Sequence, residues 1–247
     1  MKVFSPSYKR AKIVKTHKII PNVIYCVHEF EVKEYEEEGY NVQALPDSIR
    51  GNIARVRNHI KTNLIGDKGI IIDDDIEAIK RWDIKEKPES KDVEDIEEFI
   101  EMGFMMCEEA GCTLWGVNIL GDKGSYKEYT PFGFKSTVSG SFMGFVNCDV
   151  SFDEDLPLKE DYDFCIQVLN KYRKLLRFNM VSLVNKDHKN VGGCADYRTL
   201  KREEEQMEMF IQKWGSDIVK VDRSKRKSAR ENVFDINPII RVPIGGV

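Results

Sequence analysis

Residues 69–77 read Gly-Ile-Ile-Ile-Asp-Asp-Asp-Ile-Glu, an apolar run that stops at three consecutive carboxylates. Ile70, Ile71 and Ile72 are β-branched and apolar at successive positions, as a strand covered on both faces requires. Asp73, Asp74 and Asp75 cannot follow them into a core without partners, because an unpaired buried carboxylate is very costly. The strand therefore ends with hard oxygen ligands at its carboxyl edge. Open α/β sheets bind ligands at that edge, and clustered carboxylates suit Mg²⁺ or Mn²⁺. The segment predicts metal-assisted handling of a phosphate-bearing substrate.

The residues before it alternate strand and helix signals. A strand over 2–5 runs into the loop Pro6-Ser7-Tyr8-Lys9-Arg10, and helical spacing over 11–20 is stopped by Pro21. A second strand is expected over 23–27, a short acidic helix over 32–38 closed by Gly39, and a third strand over 41–45. Ser48 then opens a helix whose Ile49, Ile53, Val56, Ile60 and Leu64 form one apolar face. Four strands with three intervening helices call for right-handed crossovers and a mostly parallel, doubly wound α/β sheet.

The second half is less regular. Residues 85–91 read as a charged linker, 93–111 as a long amphipathic helix, 113–120 as a strand and 121–124 as a turn. A glycine-broken strand covers 139–147, and a helix over 161–176 aligns Phe164, Cys165, Val168, Leu169, Tyr172 and Leu176. This mixed α+β half is expected to pack on the first sheet as part of one domain.

At 247 residues, with 41% apolar and 10% aromatic content, the chain can bury a substantial core. A net charge of −4 argues against uniform positive coating and leaves room for a local basic groove. Cys26, Cys107, Cys112, Cys148, Cys165 and Cys194 form no CxxC pair, so free thiols are expected rather than disulfides or zinc. No signal-peptide pattern opens the chain and no apolar run approaches the ~20 residues of a membrane span. A soluble cytoplasmic protein with no membrane partner is the expectation.

Carboxylates at i and i+2 of an extended segment point the same way. Asp73 and Asp75 are thus placed to share one cation, or to divide metal and ribose between them. A polar strand end or a helix N-cap is the plain alternative, and Asp74 either touches ribose or caps the turn.

A βαβαβαβ unit ending in hydrophobic-Asp-x-Asp resembles the GT-A fold of nucleotide-sugar-dependent glycosyltransferases. The resemblance implies a Mn²⁺ or Mg²⁺ cofactor on Asp73 and Asp75, bridging the donor diphosphate. Arg50, Arg57 and Asn58, in Ile49-Arg50-Gly51-Asn52-Ile53-Ala54-Arg55-Val56-Arg57-Asn58, resemble the Gly…Arg-Asn helix beside the nucleotide; a solvated basic face explains them equally well. Ser5, Ser7, Tyr8 and Arg10 lie in the loop that would grip base, ribose and phosphate, with Tyr8 stacking on the base. Asp73 and Asp74 complete the donor set.

Leu158-Lys159-Glu160-Asp161-Tyr162-Asp163 resembles the Glu-Asp motif at a helix start, which implies Asp161 as catalytic base and Asp163 next. The macrodipole alone also favours acids there. His188, beside Val191-Gly192-Gly193-Cys194, would complete the metal shell, and Gly192 and Gly193 would bring backbone amides to the diphosphate. Trp115, Asn118, Ser141 and Phe142 stand where acceptor and sugar would sit, with core packing as the alternative. On this reading 1–84 is the nucleotide-binding half, 85–219 the acceptor and catalytic half, and 220–247 a basic segment and tail.

The combination of Ser-Pro-Ser-Tyr-Lys-Arg, Ile-Asp-Asp-Asp-Ile, Lys-Glu-Asp-Tyr-Asp-Phe and Val-Gly-Gly-Cys is most similar to the TET-associated glycosyltransferases of phage DNA hypermodification. That resemblance implies a nucleotide-diphosphate sugar donor, a UDP-sugar first, and an acceptor hydroxyl on hydroxymethylated pyrimidine such as hydroxymethylcytosine in DNA. The compartment would then be the host-cell cytoplasm. Lys220, Arg223, Lys225, Arg226, Lys227 and Arg230 face only Asp222 and suit backbone phosphates, or form a solvated tail. A base within duplex DNA would have to be flipped out. Competing readings are a polysaccharide or protein acceptor, and an inactive DNA-binding module of the same fold. A nucleotidyltransferase would want a glycine- and lysine-rich first loop, and residues 5–10 hold no glycine.

Overall fold

The computed structural model of the chain describes residues 2–83, 88–122, 129–185, 192–222 and 236–244. Strands β1 (Val3–Pro6), β2 (Ile24–His28), β3 (Asn41–Leu45) and β4 (Lys68–Ile72) pair in parallel, in the spatial order β3-β2-β1-β4. The sheet continues through β9 (Phe142–Val146), β7 (Leu114–Asn118), β10 (Leu176–Val184), β5 (Ala78–Asp83) and β6 (Glu89–Asp92), while the short β8 (Phe132–Gly133) pairs with β10. Strands β5, β8 and β9 run against the other seven, so the mostly parallel α/β sheet expected from the sequence is borne out.

The three isoleucines show why β4 must be apolar throughout. Ile70 and Ile72 pack into one layer with Tyr25, Val27 and Trp115, and Ile71 packs into the opposite layer with Cys26, Leu45 and Phe164. Successive side chains of a strand point to opposite faces, and both faces here are covered. Helices α1 (Val32–Glu37) and α3 (Ile96–Glu109) supply Tyr35, Phe99, Ile100 and Phe104 to the first layer. Helices α2 (Ile53–His59) and α4 (Glu160–Tyr172) supply Val56, Phe164, Val168 and Leu169 to the second. A smaller cluster joins α4 to α5 (Leu200–Trp214) and to the hairpin of β11 (Val219–Val221) and β12 (Pro238–Ile240), through Ile166, Met207, Phe210 and Val219.

Three expectations are corrected. Residues 11–20 form turns and a single 3₁₀ turn, Thr16–Lys18, instead of a helix. Their backbone donors are drawn into the acidic turn: Lys15 N and Thr16 N donate to Asp74 O at 2.7 and 3.2 Å, and Thr16 Oγ1 donates to Asp73 O at 2.6 Å. The helix expected from Ser48 begins only at Ile53, because Gly51 takes φ +79° and Asn52 is the cap, accepting from Ala54 N and Arg55 N. The linker over 85–91 is in part strand β6, whose Lys91 and Asp92 pair with Arg81 and Lys80; residues 85–87 lie outside the described residues. All six cysteines are free thiols. Among the described residues no helix is long and apolar enough to cross a membrane.

Candidate functional site

Where β4 ends, its three aspartates diverge. Asp74 turns inward and is buried, accepting from Ser7 Oγ and from Arg10 Nη1 at 2.8 Å. Ser7 Oγ also meets Tyr35 Oη at 2.7 Å, and Tyr35 Oη accepts from Arg10 N at 3.1 Å. The first-strand loop is thereby locked to the acidic turn, and the protein itself occupies the Asp74 carboxylate. Asp73 meets Arg57 Nη2 at 3.2 Å, and its backbone N donates to Ser141 O at 3.0 Å. Asp75 has Arg10 Nη1 at 3.8 Å. Burial, with the charges of Asp73 and Asp74, pushes the Asp75 carboxyl up to about 7. A cation placed beside it would relieve that penalty.

Arg57, only 4% exposed, also reaches Glu160 Oε1 through Nη1 at 3.4 Å. Burial outweighs this pairing and, helped by Asp161, raises the Glu160 carboxyl to about 8. Asp161 is likewise raised by burial, against the opposing pull of Arg57. Gly140 makes room for it: a Cβ there would lie 2.6 Å from Asp161 Cβ. Both acids open α4, whose positive end faces them.

A third wall comes from the 3₁₀ turn Gly193–Asp196 and the residues after it. Gly192 takes φ +89° and a Cβ there would stand 2.5 Å from Tyr8 O, while Gly193 N donates to Tyr8 O at 3.1 Å. Arg10 Nη2 donates to Gly192 O at 3.3 Å, and Lys9 Nζ meets Asp196 at 2.7 Å. The paired glycines thus clasp the first-strand loop. Tyr197 Oη donates to Cys194 Sγ at 3.0 Å behind them.

These walls enclose a cavity of about 550 Å³ at the carboxyl edge of β1 and β4. Of the predicted residues it gathers Ser7, Tyr8, Arg10, Arg50, Arg57, Asp73, Asp74, Asp75, Ser141, Asp161 and Gly193. The others stand elsewhere. Ser5 is buried within β1, and Gly192 lies behind the lining against Tyr8. Asn58 clamps the chain at Phe152, donating to its O at 2.9 Å and accepting from its N at 2.7 Å. Trp115 and Phe142 are core residues 5.2 Å apart between ring centroids, so the packing alternative is the one that describes them. Asn118 is buried and donates to Asn179 O at 3.0 Å. Asp163 points to α5, where Lys213 Nζ at 2.8 Å and Trp214 Nε1 at 2.7 Å hold it. His188 lies outside the described residues, as do Arg223–Arg230 of the basic segment.

Sequence reasoning missed Glu160, His28, Cys194, Tyr197 and Arg198, which all line the cavity. Glu160 is adjacent to Asp161 and shares its motif, and Cys194 ends the Val-Gly-Gly-Cys turn; His28, Tyr197 and Arg198 carry no local signal. A second cavity of about 530 Å³ lies around Trp82, Phe99 and Met102 and holds none of the predicted residues.

Among the described residues no three His, Cys, Asp or Glu side chains form a ready-made metal cage. Asp73 and Asp75 do match the one or two carboxylates that Mg²⁺ takes from a protein when water and substrate phosphates supply the rest. The residues present fit such an ion.

No curated protein matches the chain. A crystal structure of S. aureus TarS 1-349 is similar at a TM-score of 0.43 and 12% identity, over 85% of this chain and 66% of that one, so the chain spans just under two thirds of its length. The sequence model of the family described as TET-Associated Glycosyltransferase matches residues 1–193. The chain belongs to the TET-associated glycosyltransferase family.

Proposed function

We propose that the protein is a metal-dependent glycosyltransferase, moving a sugar from a nucleotide diphosphate, a UDP-sugar first, to the hydroxyl of a hydroxymethylated pyrimidine in phage DNA within the host-cell cytoplasm. The observation that carries this reading is one cavity lined by Asp73, Asp75 and Asp161, in which Arg57 bridges Asp73 and Glu160, the neighbour of Asp161. Family membership supports the chemistry and motivates the acceptor.

Asp73 and Asp75 would hold Mn²⁺ or Mg²⁺, which offsets charge on the departing diphosphate when bound. Arg10, paired with Asp74 and 3.8 Å from Asp75, and Arg57, paired with Asp73, add positive potential to the same wall. Tyr8, whose ring packs edge-on to His28 at 5.8 Å, offers an aromatic surface to the base. In a direct displacement the acceptor oxygen bonds to the anomeric carbon as the bond to the diphosphate breaks. The diphosphate leaves with that electron pair, and the hydroxyl proton passes to Asp161. Burial makes Asp161 a stronger base than an exposed aspartate.

Thermal-shift measurements with a panel of nucleotide sugars and Mn²⁺ test the donor half, and transfer of labelled sugar to a hydroxymethylcytosine oligonucleotide tests the acceptor half. Stabilisation by a UDP-sugar that is lost in Asp73→Ala, with label on the oligonucleotide, is the expected result. No donor stabilising the wild type overturns the reading. Label on a polysaccharide or protein alone overturns the DNA acceptor, and DNA binding without donor binding makes the protein an inactive module.

A further inference from the structure

The backbone of the acidic turn is held by a segment distant in the sequence. Lys15 N and Thr16 N both donate to Asp74 O, at 2.7 and 3.2 Å. Thr16 Oγ1 donates to Asp73 O at 2.6 Å and accepts from Ile76 N at 3.2 Å. Its single proton goes to the carbonyl and a lone pair takes the amide, so one hydroxyl fills both roles. Thr16 and Ile76 are each at 0% exposure, which withdraws these bonds from competition with bulk water.

Asp73 and Ile76 are the first and last residues of the turn that spans Asp74 and Asp75. A β-turn is ordinarily closed by its own bond from the last amide to the first carbonyl. Here the Thr16 hydroxyl bridges those same two groups, a spacer one oxygen atom wide. The flanks of the turn are pinned from elsewhere. Asp73 N donates to Ser141 O at 3.0 Å, Glu77 N to Val184 O at 2.8 Å, and Lys15 Nζ pairs with Glu77 at 2.6 Å. With both flanks fixed, the opening of the turn between them decides how far apart Asp73 and Asp75 stand.

Building on the metal-dependent reading above, we propose that Thr16 is a positioning residue of the metal site: its hydroxyl sets the opening of the 73–76 turn, and so the spacing at which Asp73 and Asp75 present their carboxylates to one divalent cation. Thr16 itself touches neither ion nor donor. Groups that orient ligands from behind are worth about ten- to a hundredfold in metal affinity. Mg²⁺ demands near-ideal octahedral geometry, whereas Ca²⁺ accepts longer and less regular shells. A change in the opening therefore penalises Mg²⁺ more than Ca²⁺.

The test reads Mn²⁺ binding to the full chain by electron paramagnetic resonance at one fixed UDP concentration, with Mg²⁺ and Ca²⁺ as competitors. Thr16→Val keeps the branched shape and removes the hydroxyl. It is expected to weaken Mn²⁺ and Mg²⁺ binding about tenfold, and Ca²⁺ binding by less than about threefold. Thr16→Ser retains the hydroxyl and should stay within about twofold of wild type. The metal-free Thr16→Val protein should also melt lower, because two buried backbone groups lose their partner. Met207→Ala, a truncation in the cluster between α4 and α5, should melt lower as well and keep the wild-type Mn²⁺ affinity. If Thr16→Val does not fold, Thr16→Cys takes its place, since a thiol is the weaker donor and acceptor, and should lose affinity to a degree between the serine and valine variants. Wild-type Mn²⁺ affinity in the variant that folds, equal losses for Mg²⁺ and Ca²⁺, or the same loss in Met207→Ala overturns this inference alone. A wild type that binds no Mn²⁺ in the presence of UDP overturns the metal-dependent reading and this inference with it.

Discussion

Arg57 forms a buried ion pair with Glu160 at 3.4 Å and extends the same guanidinium to Asp73 at 3.2 Å. One cation thus ties the acid that follows β4 to the acid that opens α4, next to the proposed base Asp161. Removing one member of a buried pair leaves an uncompensated charge, which costs about 3–5 kcal/mol. Arg57→Met is expected to lower the unfolding free energy by about 3 kcal/mol in urea titrations at about pH 9. The loss should shrink at about pH 5, where Glu160 is protonated with or without its partner. An equal loss at both pH values would mean that the charge of Glu160 is not what Arg57 serves.

Glu160 itself gives the metal-free protein a pH signature. Burial, then Asp161, raises its carboxyl from an ordinary 4.5 to about 8, against the pull of Arg57. A carboxyl raised on folding contributes its stability in full below 4.5 and loses it as pH rises through about 8. Stability should therefore decline across that window, with a limiting slope of about 1.4 kcal/mol per pH unit for one proton. Glu160→Gln has nothing to titrate and should remove this one-proton share of the slope, leaving the share of Asp75 below about 7. Retention of the full slope in that variant would assign it to another group.

Asp75 poses the stability–function conflict of a binding site. It is half-hidden beside two other carboxylates, and Arg10 stands 3.8 Å away. Asp75→Asn removes an unfavourable charge and little pairing, so the metal-free protein should melt at or above the wild-type temperature at about pH 8. The same variant should lose Mn²⁺-dependent stabilisation by nucleotide sugars. A lower melting temperature without metal would show that Asp75 serves the fold.

The contrast between Asp161 and Asp163 shows what was legible in the sequence. Parallel strands buried on both faces must be apolar at consecutive positions, so β4 and the acidic edge after it are legible directly, whereas the largely exposed edge strand β3 is legible only by its alternation. Two acids two positions apart in a helix point in nearly opposite directions, and nothing in Lys-Glu-Asp-Tyr-Asp says which one faces a cavity. The packing of α5 decides it, and α5 had no local pattern tying it to the site. Trp115 leaves sugar platform and core packing equally open in the sequence for a similar reason. A tryptophan beside glycine suggests an open sugar platform, yet Gly103 and Gly144 exist to admit its ring to the core. The helical spacing of 11–20 was outbid by hydrogen bonds to Asp73 and Asp74, partners sixty residues away that periodicity cannot register.

Gly140 provides the most direct check on Asp161 as base. A Cβ at position 140 would lie 2.6 Å from Asp161 Cβ and 2.8 Å from its Cγ. Because the root of the side chain is struck as well as its tip, rotating the carboxylate cannot relieve the clash, and the start of α4 must shift against the strand. Overpacking of this kind costs about 1–3 kcal/mol, and displacing a reacting group by about 1 Å costs roughly a hundredfold in rate. Gly140→Ala is therefore expected to fold with reduced stability and to lose about a hundredfold in kcat. Its affinity for UDP and Mn²⁺, measured by calorimetry, should stay at the wild-type value, since the three atoms nearest to the added Cβ all belong to Asp161. Full turnover in Gly140→Ala would remove Asp161 from the reaction, because no base displaced by that contact could work unimpaired.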